Sequence, residues 1–275
     1  MTSTKTNVFT NPRNGGRAVV TGATSGIGRA YAIALAHLGY RLLVTGRRRS
    51  LLEAVAEEAR QAGAPSVDAR VIELSDSSAV DALCSEIARA ADTEYLVNNA
   101  GFATGKPFIE DPNGNDRINT VHIDVPMRLM YATVPEMERR GHGCVVNVAS
   151  LAAYLAVPYA STYVASKAYL IALTECVSLE FDPSIVRFQA LAPGYVHTDF
   201  HRDGLIPDRE RRSRGLIRWS SPEAVVKHSL RCLEKNQVLS VPGALNRILL
   251  GVSRITPRSS LYATASRRLR RRYRP

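Results

Sequence analysis

Tyr163 and Lys167 stand four residues apart in the run Tyr163-Val164-Ala165-Ser166-Lys167, a spacing that on a helix turns both side chains toward the same ligand. A free phenol titrates near about 10, too high for efficient proton exchange at neutral pH, and a neighbouring ammonium stabilises its phenolate. Lys167 is the obvious neighbour. Ser150, thirteen residues upstream, follows an apolar run where a strand would end, and its hydroxyl there can hydrogen-bond a reacting carbonyl oxygen. The three residues together describe acid/base chemistry on a carbonyl or a secondary alcohol. A Tyr-x-x-x-Lys pair alone is common, so the reading depends on what surrounds it.

The second group is the turn Thr21-Gly22-Ala23-Thr24-Ser25-Gly26-Ile27-Gly28, which sits where an apolar run hands over to helical spacing of Tyr31, Ile33, Ala34 and Leu38. Gly22 and Gly26 permit a tight turn and close backbone approach, and Gly28 lets the helix pack on the strand. The helix start offers free N–H groups to a pyrophosphate, with Thr24, Ser25 and Ile27 in the same cradle. NAD-preferring sites place an acid about twenty residues further on to bind the ribose 2′-hydroxyl. Here Gly46-Arg47-Arg48-Arg49 stands instead. An arginine meets a 2′-phosphate with charge-assisted hydrogen bonds where an acid would repel it, so Arg47 is assigned to that phosphate and the cofactor is expected to be NADPH/NADP+. Arg48 and Arg49 read equally well as decoration of the next helix.

These groups need elements to hold them. Apolar runs at 17–21, 41–45, 69–74, 94–98, 144–149 and 186–192 alternate with helical patterns at 29–38, 50–61, 77–90, 116–140 and 164–181. Residues 222–233 read as a further helix and 238–241 as a seventh strand. Regular alternation predicts an α/β fold, a single Rossmann-type doubly wound parallel sheet of about seven strands with helices on both faces. The organisation expected is a loose N-terminal arm over 1–14, a catalytic domain over 15–250 with a substrate lid at 199–221, and a basic extension over 251–275.

Composition narrows the class. With 45% hydrophobic and 22% charged residues the chain has no run apolar enough for a membrane span. Residues 1–14 lack the apolar core of a signal peptide. Cys84, Cys144, Cys176 and Cys232 are widely separated, which predicts no metal site and reduced thiols in the cytoplasm. Six of the net +11 charges belong to Arg267, Arg268, Arg270, Arg271, Arg272 and Arg274, leaving a mildly basic body. Nothing supplies base-reading geometry for nucleic acid, whereas a clustered basic end with Leu269 and Tyr273 suits peripheral membrane contact or a plain solvated tail.

With TGATSGIG at Thr21, NNAG at Asn98, Ser150, YVASK at Tyr163 and PG at Pro193 in this order, the chain resembles the short-chain dehydrogenase/reductase family over residues 16–250. The resemblance implies that Tyr163 is the general acid/base, that Ser150 orients the substrate, and that Lys167 binds the nicotinamide ribose and lowers the tyrosine pKa. It implies cofactor contacts at Asn99, Ala100 and Gly101, at Leu74 near adenine, and at Pro193, Gly194, Val196 and Thr198 near the carboxamide. It departs at His122, where the family carries an asparagine that holds a proton-relay water; Asn119 lies one turn earlier. His122 is therefore a candidate catalytic residue, holding that water beside Lys167 through one ring nitrogen, or else a hydrogen-bonded core histidine.

The wording around the motifs is similar to the branch of 3-oxoacyl thioester and steroid ketoreductases. That likeness implies a ketone substrate, either carrier- or CoA-bound or bulky and lipophilic, beneath the arginine-rich segment 200–219, and assembly as a homodimer or homotetramer. The competing reading is a catalytically weak NADP(H)-binding regulatory or scaffold protein, associated with membrane through its basic tail, in which the His122 change has broken the relay.

Overall fold

The computed structural model describes residues 12–13, 15–199, 218–257, 259–260 and 262. Strands β1 (Arg17–Val20), β2 (Arg41–Gly46), β3 (Val67–Val71), β4 (Thr93–Asn98), β5 (Gly143–Val148) and β6 (Val186–Leu191) alternate with helices α1 (Gly26–His37), α2 (Arg49–Gln61), α3 (Ser77–Ala90), α4 (Pro112–Asn119), α5 (Val125–Arg140) and α6 (Ser161–Val177). A two-residue pair, β7 (Tyr195–Val196) and β8 (Trp219–Ser220), precedes α7 (Pro222–Glu234), β9 (Leu239–Ser240) and α8 (Ala244–Ile255). Seven strands form one sheet in the order β3-β2-β1-β4-β5-β6-β9, every neighbouring pair parallel.

A parallel sheet covered on both faces needs apolar residues in both directions of the pleat, which explains the unbroken apolar runs of the sequence. One face carries Ala18, Val20, Leu42, Val44, Val97 and Val146 against α1, α2 and α7. The other carries Val19, Leu43, Leu96, Val145 and Phe188 against α3 and α5. Successive residues of each strand thus feed alternate cores. The chain winds outward from β1 to β3, then returns to β4 on the other side of β1. The two adjacent strand ends diverge there and leave a crevice at their carboxyl edge.

Three departures from the expected elements have local causes. The helix expected over 116–140 starts at Pro112, because the Asp111 carboxylate accepts from Gly114 N at 3.2 Å and proline suits a first helical turn. It is also broken by a π turn at Thr120–Asp124, which carries His122 inward. α8 runs across the domain edge expected at residue 250, since its own Leu250 packs inward with Leu170, Ile171 and Val241. The β7–β8 pair has no counterpart among the expected elements. Residues 1–11 and 14 of the arm, 200–217 of the lid and 263–275 of the basic extension lie outside the described residues.

Candidate active site

The crevice opens into one cavity of about 920 Å³, within the size range of cofactor sites. At one wall lies the glycine turn. Gly22 and Gly26 hold φ of +65° and +58°, conformations that suit glycine. A Cβ at Gly22 would fall 2.8 Å from Ala100 Cα, and one at Gly26 would fall 2.7 Å from Thr198 Cγ2. The turn is braced from β4: Asn99 Nδ2 donates to Thr21 O at 2.9 Å and Gly22 O at 3.1 Å, while the Asn99 and Ala100 amides donate to Thr21 Oγ1 at 2.9 and 3.0 Å. Below them Asn98 donates to Asn147, which donates to Thr174, so a buried polar rung joins β4, β5 and α6.

Gly22, Thr24, Ser25, Gly26, Ile27, Arg47, Leu74, Asn99, Ala100, Gly101, Pro193, Gly194, Val196 and Thr198 all line this cavity, with Ser150, Tyr163 and Lys167. Gly28 lies behind the wall, and a Cβ there would meet Asn99 Nδ2 and Gly22 O at 2.4 Å. Its part is to let helix and strand approach.

The reacting end is built on β5 and α6. Ser150 follows β5 and starts a 3₁₀ turn at Leu151–Tyr154, its hydroxyl accepting from Ala152 N at 3.1 Å. The same hydroxyl hydrogen-bonds the Tyr163 phenol. Lys167, 5% exposed, donates from Nζ to Val148 O at 2.8 Å and lies 5.8 Å from the centre of the Tyr163 ring. Burial raises the Tyr163 phenol above its ordinary value, and the Ser150 hydrogen bond opposes that rise. Burial also draws the Lys167 ammonium down to about 7. The expected lowering of the tyrosine by Lys167 is not among the influences on the phenol, which are its burial and the Ser150 hydrogen bond.

His122 does not reach the cavity. It is fully buried; Nε2 accepts from Phe102 N at 3.0 Å, and Nδ1 lies 2.9 Å from Ser166 Oγ. Ser166 Oγ in turn donates to Tyr163 O at 2.8 Å. With Nε2 accepting, the neutral ring carries its proton on Nδ1, and both nitrogens are occupied by protein. This corrects the reading of His122 as the holder of a relay water. Burial, then the charge of Lys167, hold its pKa well below the ordinary histidine range, so it stays neutral.

At the far end Arg47 is exposed and pairs loosely with Glu73, 3.5 Å away. Arg48, left open by its sequence position, reaches across the turn: Nη2 donates to Thr24 Oγ1 and Ser25 Oγ, each at 3.0 Å, and Nη1 donates to Asp199 Oδ2 at 3.2 Å. It lines the cavity beside Arg47. Two other contributions escaped the sequence reading. Tyr195 of β7 and Asn246, Leu249, Leu250 and Ser253 of α8 close the cavity on the side of Tyr163. The apolar spacing of Leu245, Leu249 and Val252 was the available signal for α8.

The sequence profile of the short chain dehydrogenase family matches residues 17–205. The chain belongs to that family. Its catalytic chemistry is accordingly oxidoreduction between alcohols and carbonyl compounds. Among relatives, the cattle (Bos taurus) protein named dehydrogenase/reductase SDR family member 7B is 30% identical over 80% of this chain and 70% of its own length. A very-long-chain 3-oxoacyl-CoA reductase from Laccaria bicolor is 31% identical, covering 79% of this chain and 63% of that one. A short-chain dehydrogenase from Sphingobium yanoikuyae, solved in complex with NADPH, superposes with a TM-score of 0.76 at 25% identity over 88% of this chain and 96% of that one. That superposition shows that the two chains share the fold.

Proposed function

We propose that this short-chain dehydrogenase is an NADPH-dependent reductase of a lipophilic ketone, with Tyr163 as general acid/base, Ser150 orienting the carbonyl and Lys167 setting the charge beside them. The observation that carries this reading is that one cavity has Ser150, Tyr163 and Lys167 at one end and Arg47 and Arg48 at the other. The glycine cradle and its free helix start suit a pyrophosphate, and a cavity of about 920 Å³ is large enough for a dinucleotide. A bound nicotinamide would supply the hydride. Arg47 and Arg48 would hold the 2′-phosphate: the exposed Arg47–Glu73 pair contributes little and exchanges readily for a phosphate partner, and Arg48 already faces the turn. Leu74 and the segment from Asn99 to Gly101 would flank the adenosine, and Pro193, Gly194, Val196 and Thr198 the carboxamide.

On the substrate side, Ser150 donates to the carbonyl oxygen while the Tyr163 phenol transfers its proton to it, and the reverse transfers serve alcohol oxidation. Leu151, Tyr154, Leu155, Val157, Leu249 and Leu250 give this end an apolar lining, with Arg218 at the rim. That lining supports a bulky ketone or a β-ketoacyl thioester, the latter also favoured by the name of the Laccaria relative. Assembly as a homodimer or homotetramer, supported by the exposed Tyr131 and Tyr169 on α5 and α6, and a cytoplasmic site of action, supported by four free cysteines, complete the reading. Against the alternative of a catalytically weak NADP(H)-binding scaffold stands the intact set of Ser150, Tyr163 and Lys167 in the cavity wall.

The test is NADPH consumption over a ketone panel that includes β-ketoacyl thioesters and steroids. Tyr163→Phe should lower turnover by about 10²- to 10⁴-fold with NADPH binding retained. Arg47→Asp with Arg48→Asp should weaken NADPH far more than NADH. Equal use of both nucleotides by the wild type would refute the cofactor preference, and tight NADPH binding with no turnover on any ketone would refute the reductase.

A further inference from the structure

Helix α8 has two faces with opposite duties. Leu250, 8% exposed, packs inward, and Asn246, Leu250 and Ser253 line the cavity. On the opposite side Ile248, Val252 and Ile255, spaced four and three residues apart, are 61%, 50% and 82% exposed. Among the described residues, nothing outside its own stretch of helix comes within 4 Å of where a Cβ on Gly251 would be. Three large aliphatic side chains in a helical stripe over open space are the outer surface of a cavity wall.

The charge that the sequence carries in and after α8 bears on what covers this stripe. From Ala244 to Pro275 the sequence holds nine arginines and no acidic residue. A second copy of the chain docked here would bring two equally basic C-terminal sequences toward each other, which like charge disfavours. Nucleic acid would meet the arginines but finds nothing to use in an aliphatic stripe. A surface that is anionic above and hydrocarbon below satisfies both features: arginines face headgroups while the stripe enters the acyl boundary.

We propose that α8 is an interfacial docking helix that seats the enzyme on anionic lipid, held by its aliphatic stripe and the C-terminal arginines. Seated this way, the wall shared by α8 and the cavity lies against the bilayer, so a ketone dissolved in lipid enters beside Tyr163 without crossing water. This last step rests on the lipophilic-ketone reading; the docking itself does not.

The experiment is co-sedimentation of the full-length protein with phosphatidylcholine vesicles, with and without phosphatidylglycerol. Binding is expected only with phosphatidylglycerol and should weaken at high salt. It should fall by about tenfold or more in Ile248→Glu/Val252→Glu, in Ile255→Glu alone, and on removal of residues 267–275, and should tighten in Val252→Trp. Turnover of a water-soluble ketone should be unchanged in all four, which also reports that they fold. Absence of wild-type binding to anionic vesicles would overturn the proposal, as would undiminished binding by both glutamate variants. A wild-type dimer that Ile255→Glu converts to monomer would assign the stripe to a second copy and overturn it as well. Since vesicle binding requires no turnover, its failure is distinct from failure of the reductase reading.

Discussion

Lys167 titrates near 10.5 when exposed and at about 7 in the folded protein, where burial penalises its charge. Between those values the unfolded chain binds more protons than the native one, so this site's contribution to stability rises with pH across the interval. In urea titrations without added nucleotide, wild-type stability should gain on Lys167→Met by up to about 1.4 kcal/mol per pH unit from pH 7 upward, and parallel pH curves would contradict the buried lysine. His122 makes a different prediction. Replacing it with leucine leaves the Phe102 amide without its acceptor, so stability should fall by about 1–3 kcal/mol. If the ring is a brace rather than a relay, the pH profile of kcat/KM should keep its shape in that variant. Movement of a limb of the profile would return His122 to proton transfer.

At the scale of elements, the phosphate turn exists because β1, α1 and β4 approach more closely than side chains normally allow. Gly28 sits at the tightest contact, against Asn99 Nδ2 and Gly22 O. In Gly28→Ala either the helix start or the Asn99 brace must shift, and both hold the pyrophosphate cradle. Nucleotide affinity is expected to fall at least about tenfold by isothermal titration while the far-UV spectrum stays native, since the substitution itself favours helix. Unchanged affinity would mean that the turn tolerates displacement. The π turn at Thr120–Asp124 follows the same logic, since one extra residue in the helical path carries His122 inward to where Phe102 and Ser166 can both be reached.

For the molecule as a whole, Tyr131 on α5 is 70% exposed and Tyr169 on α6 is 37% exposed, an aromatic surface away from the cavity mouth. If the proposed assembly uses this face, sedimentation velocity should show a dimer or tetramer, and Tyr131→Glu with Tyr169→Glu should move it toward monomer. A monomeric wild type would remove that part of the proposal. The net charge of +11 is unevenly spread, with nine arginines after residue 243, so salt should act mainly on contacts made by the C-terminal end.

What the sequence determined by itself is what depends on residue type at short range. The alternation of apolar runs with helical spacing was enough for the parallel sheet, because a strand buried on both faces and an amphipathic helix have different periods. The glycine turn, the Tyr163–Lys167 spacing and Ser150 at a strand end were legible for the same reason. Tertiary structure alone decided matters that rest on partners distant along the chain. The reach of Arg48 to Thr24, Ser25 and Asp199 spans up to 151 positions. The engagement of both His122 nitrogens depends on Phe102 and Ser166. The depressed lysine and raised tyrosine come from burial, which no local pattern records. α8 was missed because its stripe faces outward, whereas the residues that bind it to the fold are few and meet β9 and α6 only once the sheet has closed.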